Sequence, residues 1–175
     1  MPLDSGVRAI VRGIDRFTIL CARVFAWMSI VLMLAIVWHV VARYVFHSPT
    51  IWAYDVTYML YGSMFMLGSA YCLYRGGHIR TDFLYRAWSP RWQGIMDAVL
   101  YVLLFFPAMW LFFEAGYGYA ERSWIQGERG FYSPWAPPIY PFKTVIPVAI
   151  VLLMIQGVSE LLKSLYAAIV GRWPE

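Results

Sequence analysis

An all-α integral membrane protein with four transmembrane helices is the fold class that the sequence predicts. Its 175 residues are 61% hydrophobic and only 14% charged, where soluble chains average roughly 45–50% apolar and about 25% charged. Two blocks of 19 residues, Val24 to Ala42 and Val56 to Tyr74, carry no formal charge, and a helix of roughly 20 apolar residues crosses a bilayer. These blocks also lack the polar stripe that a helix of a soluble bundle turns to water. The same composition excludes other classes. Two cysteines cannot staple a secreted disulfide scaffold, and charge is too scarce for a disordered chain. The net charge of +4 is scattered between apolar blocks, which argues against a nucleic-acid partner.

The elements follow in order as one membrane domain, residues 1–175. Residues 1–16 read as an amphipathic segment: Leu3, Val7, Ile10, Val11, Ile14 and Phe17 share one side of a helical projection, and Arg8, Arg12, Asp15 and Arg16 share the other. Such a helix lies in the interface and is drawn to anionic lipids; an unbroken extension of the first span is the alternative. The spans fall at about 17–42, 52–74, 92–118 and 142–166. The first is read as uncleaved, because no small-residue cleavage pattern follows it. The third holds only Asp97 between Trp92 and Phe113, and the fourth reaches Glu160 and Lys163 where a helix end meets head groups.

The connections are unequal. Residues 43–51 make a short turn at Ser48-Pro49. Residues 75–91 open with Gly76-Gly77, and Ile79, Phe83, Leu84, Ala87 and Trp88 recur at a loosely helical spacing that allows a second interfacial segment. Residues 119–140 read as a long external loop, rich in aromatics and proline, that rests at the head-group level. Lys and Arg divide ten to four between alternate sides, which places both termini in the cytoplasm.

Little in the chain proposes chemistry. His39 is the one histidine inside a span; it reads as a hydrogen-bonded packing residue, with haem ligation as the alternative. Cys21 and Cys72 do not form a Cys-x-x-Cys pair. Phosphate loops, nucleophile elbows and zinc-protease motifs are absent from the sequence. Asp55, Asp97, Glu114 and Glu160 sit near predicted span ends, Arg43 and Asp55 bracket one turn and can pair, and Gln156 is the only amide well inside a span. A transporter usually gathers ionisable groups at the midplane on broken helices. The residues therefore describe a non-enzymatic subunit without cofactors or its own transport machinery.

Ile51-Trp52-Ala53-Tyr54-Asp55 opens the second span, and Arg75-Gly76-Gly77-His78-Ile79-Arg80-Thr81-Asp82 ends it. This resembles the DctQ-like small membrane subunit of tripartite ATP-independent periplasmic (TRAP) transporters, which carries a Trp-x-x-Glu opening and a Gly-His-Ile-Arg-x-Asp stretch. Asp55 departs from the family's usual Glu by one methylene. Ser133-Pro134-Trp135-Ala136-Pro137-Pro138, Tyr140-Pro141 and Gln156-Gly157 resemble the branch named for mannitol and chloroaromatic compounds, whose relatives handle 2-oxo or hydroxy carboxylates. The resemblance implies a sodium-coupled importer of organic acids in a bacterial inner membrane. It also implies two protein partners, a periplasmic substrate-binding protein and a large membrane subunit that holds the sodium and moves the solute. The small subunit would stabilise the large one, with membrane lipids around it.

Within that reading, Arg43, Trp52, Asp55, Gly77, His78, Arg80 and Asp82 are candidates for structural or partner contact. Arg122, Glu128 and Arg129 are candidates for docking the binding protein. Two other classes stay open: a haem- or quinone-bearing anchor of an oxidoreductase, and a small transporter acting alone.

Overall fold

The computed structural model describes residues 2–77, 88–131 and 133–173, with side chains from Gly6 onward. Its regular elements are helical: α1 (Pro2–Tyr44), α2 (Ala53–Tyr74), α3 (Pro90–Leu100), a π turn (Tyr101–Phe105), α4 (Phe106–Gln126) and α5 (Tyr140–Val170). By length and composition, three helical stretches can cross a membrane: Gly6–Tyr44, Pro90–Gln126 and Tyr140–Val170. The expected fourth span, α2, has the length, at 22 residues. It is not among those three; Tyr54, Tyr58, Tyr61, Tyr71, Tyr74 and Asp55 interrupt its leucines and methionines.

The first helix differs from its expected division. No break separates residues 1–16 from the following span; α1 runs 43 residues without interruption, about 65 Å at 1.5 Å per residue. Its end is legible in the sequence: Ser48-Pro49 follows, and the His47 backbone turns to a positive φ of 51°.

Burial is distributed as in a membrane protein. The buried apolar residues are mostly alanines, among them Ala42, Ala53, Ala70, Ala149 and Ala167, whereas Trp27, Phe65, Leu103 and Ile125 are exposed. Small residues let helices approach closely, and large apolar ones face lipid or a partner.

The contacts divide the chain into two compact units. The first comprises the described residues of Met1–Leu20, Ala70–Phe112 and Ile150–Glu175. Here Gly94 of α3 packs against the backbone of α5: a Cβ at Gly94 would lie 2.6 Å from both Ala168 N and Ser164 O. The π turn precedes Pro107, which has no N–H to donate; the Phe106 N–H instead bonds the Tyr101 carbonyl. A π turn re-aims the side chains it carries, and Phe105 lies flush on Gly157, where a Cβ would stand 2.3 Å from its ring.

The second unit comprises Cys21–Ser69 and the described residues of Phe113–Ala149. Gly62 admits the Phe142 ring of α5, while Gly68 faces open space, so only one of the two α2 glycines serves a close approach. The external loop is shorter than the sequence suggested. α4 continues to Gln126, and the loop proper is residues 127–139, whose described residues form a hairpin with a bridge between Arg129 and Pro138.

Candidate functional site

Helix ends position the groups singled out in the sequence. α2 starts after Trp52, whose carbonyl accepts the Val56 N–H at 3.1 Å. Asp55 falls in the first turn, where a carboxylate is favoured by the helix dipole. α2 stops at Gly76, with φ +65°; the Gly76 N–H bonds the Leu73 carbonyl and the Gly77 N–H bonds the Cys72 carbonyl. This is a Schellman motif, and only glycine takes such a φ without strain. The same device ends α4: Gly127 N–H bonds Trp124 O, and Glu128 N–H bonds Ser123 O.

In the second unit, these ends build a clamp that holds the hairpin. Asp55 is 3% exposed and accepts a hydrogen bond from the Ser133 hydroxyl at the hairpin tip. The expected pairing with Arg43 does not form; Arg43 is exposed on the last turn of α1, and the hairpin reaches Asp55 instead. At the hairpin base, Lys143 of α5 pairs with Glu128 and lies 3.9 Å from the centre of the Tyr119 ring. The Trp124 indole N–H donates to Thr144 at 2.8 Å. The docking trio therefore divides: Glu128 turns inward to Lys143, whereas Arg122 and Arg129 stay exposed. His39 Nδ1 lies 2.7 Å from Thr50 Oγ1, a packing contact. Trp52 is half-buried. His78, Arg80 and Asp82, with the proposed second interfacial segment, lie outside the described residues.

The Lys143 hydrogen bond holds the Glu128 carboxyl below the usual carboxylate range. A depressed folded value means the clamp is at full strength above the unfolded pKa of about 4.3 and weakens as pH falls through the folded one. The emission of Trp124, taken by difference against Trp124→Phe, should shift over that acidic window in the wild type. Glu128→Gln should remove that step, and an unchanged step would assign it to another carboxylate.

The first unit contains a polar cluster that sequence reasoning missed. Gln156 is fully buried. Its amide oxygen accepts from Thr18 at 2.7 Å, and its amide nitrogen donates to Asp15 and Glu160, each at 3.0 Å. Ser159 donates to Asp15 at 2.7 Å. The Lys163 ammonium completes the set, 3.0 Å from Asp15 and 2.8 Å from Glu160. Gln156, Ser159, Glu160 and Lys163 follow the i, i+3, i+4, i+7 spacing of one helix face, and that spacing was the available signal. Asp15 shows the second correction: Asp15 and Arg8 of the segment's polar side bond α5 while Arg12 and Arg16 stay exposed, and of its apolar side Val11 is buried while Ile10 and Phe17 are exposed.

These arrangements bind helices and loops; among the described residues no group of three His, Cys, Asp or Glu side chains could hold a metal ion. Fold and clusters together define a helical membrane protein whose internal polar groups serve its own packing. The family model described as "Tripartite ATP-independent periplasmic transporters, DctQ component" matches residues 32–166. The chain belongs to that family: it is the small membrane subunit of a TRAP transporter, a transporter component and not an enzyme. Members of that family work with a large permease and a binding protein. No curated protein matches the chain.

Proposed function

We propose that this chain is the scaffold subunit of a sodium-coupled, binding-protein-dependent importer of organic acids, set in a bacterial inner membrane with both termini cytoplasmic. In this reading α2 is the fourth span, its exposed tyrosines turned to the large permease and not to lipid, and the sodium sites and solute path belong to that permease. The observation that carries it is the self-contained polar cluster: Asp15, Thr18, Gln156, Ser159, Glu160 and Lys163 bond one another. Polar groups so engaged tie helices together and leave none over to escort a solute. The reading as a haem or quinone anchor finds no support here.

The test is sodium-driven uptake in proteoliposomes holding the large permease with and without this chain, titrated with binding protein. Uptake should need both membrane subunits; equal uptake by the large subunit alone would sink the scaffold role. Arg122 and Arg129 mark the proposed docking face, and charges at a rim tune encounter rate in a salt-dependent way. Arg122→Glu with Arg129→Glu should raise the half-saturating binding-protein concentration severalfold at low salt and less at high salt, with the membrane complex still assembled. Unchanged titrations at both ionic strengths would remove the two arginines from that face.

A further inference from the structure

A cavity of about 320 Å³ lies in the second unit between α2, α5 and the external hairpin. Its wall is apolar along Met59 and Met66 of α2 and along Phe142 and Ile146 of α5, and three charged groups line it, Asp55, Glu128 and Lys143. Lys143 is taken up by Glu128, so the cavity holds one carboxylate beyond what it pairs. Among the described residues, Asp55 has the Ser133 hydroxyl as its hydrogen-bond donor and no Lys or Arg in an ion pair. At 3% exposed it is withdrawn from water as well, and a charge so placed is costly until a counter-charge reaches it. The cavity is also deep: Met66 lies about 16 Å beyond Asp55 along α2, at 1.5 Å per residue. Tyr54, Tyr58, Tyr61 and Phe65 share one face of that helix by their i, i+4, i+7, i+11 spacing, and each is at least half exposed.

We infer that this cavity receives a lysine or arginine side chain of the large permease, its cationic head on Asp55 and its aliphatic stem along the apolar wall. The helix that carries this side chain covers the aromatic face of α2. Each part of the cavity fits that occupant. Long basic side chains lay their methylene stems on apolar surface and carry the charge to a polar end. Methionine adapts its shape to an inserted group, and Met59 and Met66 line the path. Other occupants use only half of the site. An inorganic cation would meet Asp55 but gain nothing from the apolar wall, and such ions take several oxygen ligands. An acyl chain would fill the wall and leave the carboxylate unpaired. A soluble protein stops short of the level of Met66, whereas a membrane-spanning one reaches it.

The inference rests on the proposed pairing of this chain with a large permease, and the experiment scores that pairing first. The two proteins are coexpressed and purified in detergent, and release of the permease from the immobilised full chain is timed. Prompt release from the wild type would overturn the pairing, and the inference with it. From a lasting complex, Asp55→Asn should speed release about 30-fold, the low end for removing one member of a buried charge pair from an interface. This variant keeps a carbonyl oxygen for Ser133, so the hairpin stays in place. Ser133→Ala removes the hairpin's bond and leaves the charge, and should release close to the wild-type rate. Wild-type release from Asp55→Asn, or release from Ser133→Ala as fast as from Asp55→Asn, would overturn the site while leaving the pairing intact. The counter-ion is located with a benzophenone side chain in place of Tyr58, which lines the cavity. Its crosslink should fall within one helical turn of a lysine or arginine of the permease, and changing that residue to Asp should restore the complex of Asp55→Arg. Crosslinks only to lipid or to permease segments without a basic residue would overturn the occupant, as would a charge swap that restores nothing. If Asp55→Asn does not fold, the crosslink, made in an otherwise wild-type chain, decides alone.

Discussion

Lys163→Met should destabilise the protein by about 2 kcal/mol, read as a lowered midpoint of thermal or denaturant unfolding in detergent. Lys163 is the only ammonium in its cluster and bridges two carboxylates, Asp15 and Glu160. Both carboxylates also accept from the single Gln156 amide nitrogen, so they converge on one point. Without the ammonium, two like charges face each other in a partly desolvated place. Removing one member of a fully buried pair costs roughly 3–5 kcal/mol. The side chains here keep 15–18% of their surface exposed, which places the loss lower. The diagnostic is rescue. Asp15→Asn in the Lys163→Met background removes the repulsion while keeping an acceptor for Ser159, and should recover about half of the lost stability. A double variant no more stable than Lys163→Met would show that the lysine acts by packing its stem.

Gly94→Ala should cost about 1–3 kcal/mol, the usual range for forcing an extra methyl into a filled space. The obstacle is backbone. The new methyl would sit 2.6 Å from Ser164 O and Ala168 N and 3.0 Å from Ala167 C, and none of these can swing aside as a side-chain tip can. α3 and α5 must therefore separate locally, which opens the neighbouring contacts of Ala98 and Ala167, both buried. Gly68→Ala is the control, since its Cβ would meet nothing within 4 Å, and in a helix interior it should be neutral or slightly stabilising. Gly94→Ala as stable as Gly68→Ala would mean that the α3–α5 crossing is looser than the structure draws it.

The sequence carried the architecture far, for a physical reason. Crossing a bilayer is a property of each segment by itself, so length with at most one charge, Asp97, located the helices at 24–42, 92–113 and 144–159. Local turn chemistry was legible too: Gly76-Gly77 and Ser48-Pro49 end helices through their own backbone preferences, with no partner required. The same locality explains why the α2 span was expected. Absence of charge registers 19 residues from Val56 to Tyr74, and the five tyrosines from Tyr54 to Tyr74 set this segment apart from the other three.

Partner choice lay beyond that reach. An amphipathic stripe has the same form whether its polar side meets lipid head groups or another helix, so Asp15 could be placed on a face but not assigned to Gln156, Ser159 and Lys163, which lie more than 140 residues further on. Asp55 and Arg43 were close in sequence and opposite in charge, yet the hairpin supplied Ser133 first, and Glu128 turned from the exposed set to Lys143. By itself the sequence determined that the chain is a membrane-embedded set of helices, where the first two stop, and which family motif it carries. Tertiary structure decided which polar group meets which, because a buried hydrogen bond or ion pair depends on geometry to within fractions of an ångström between segments far apart in the chain.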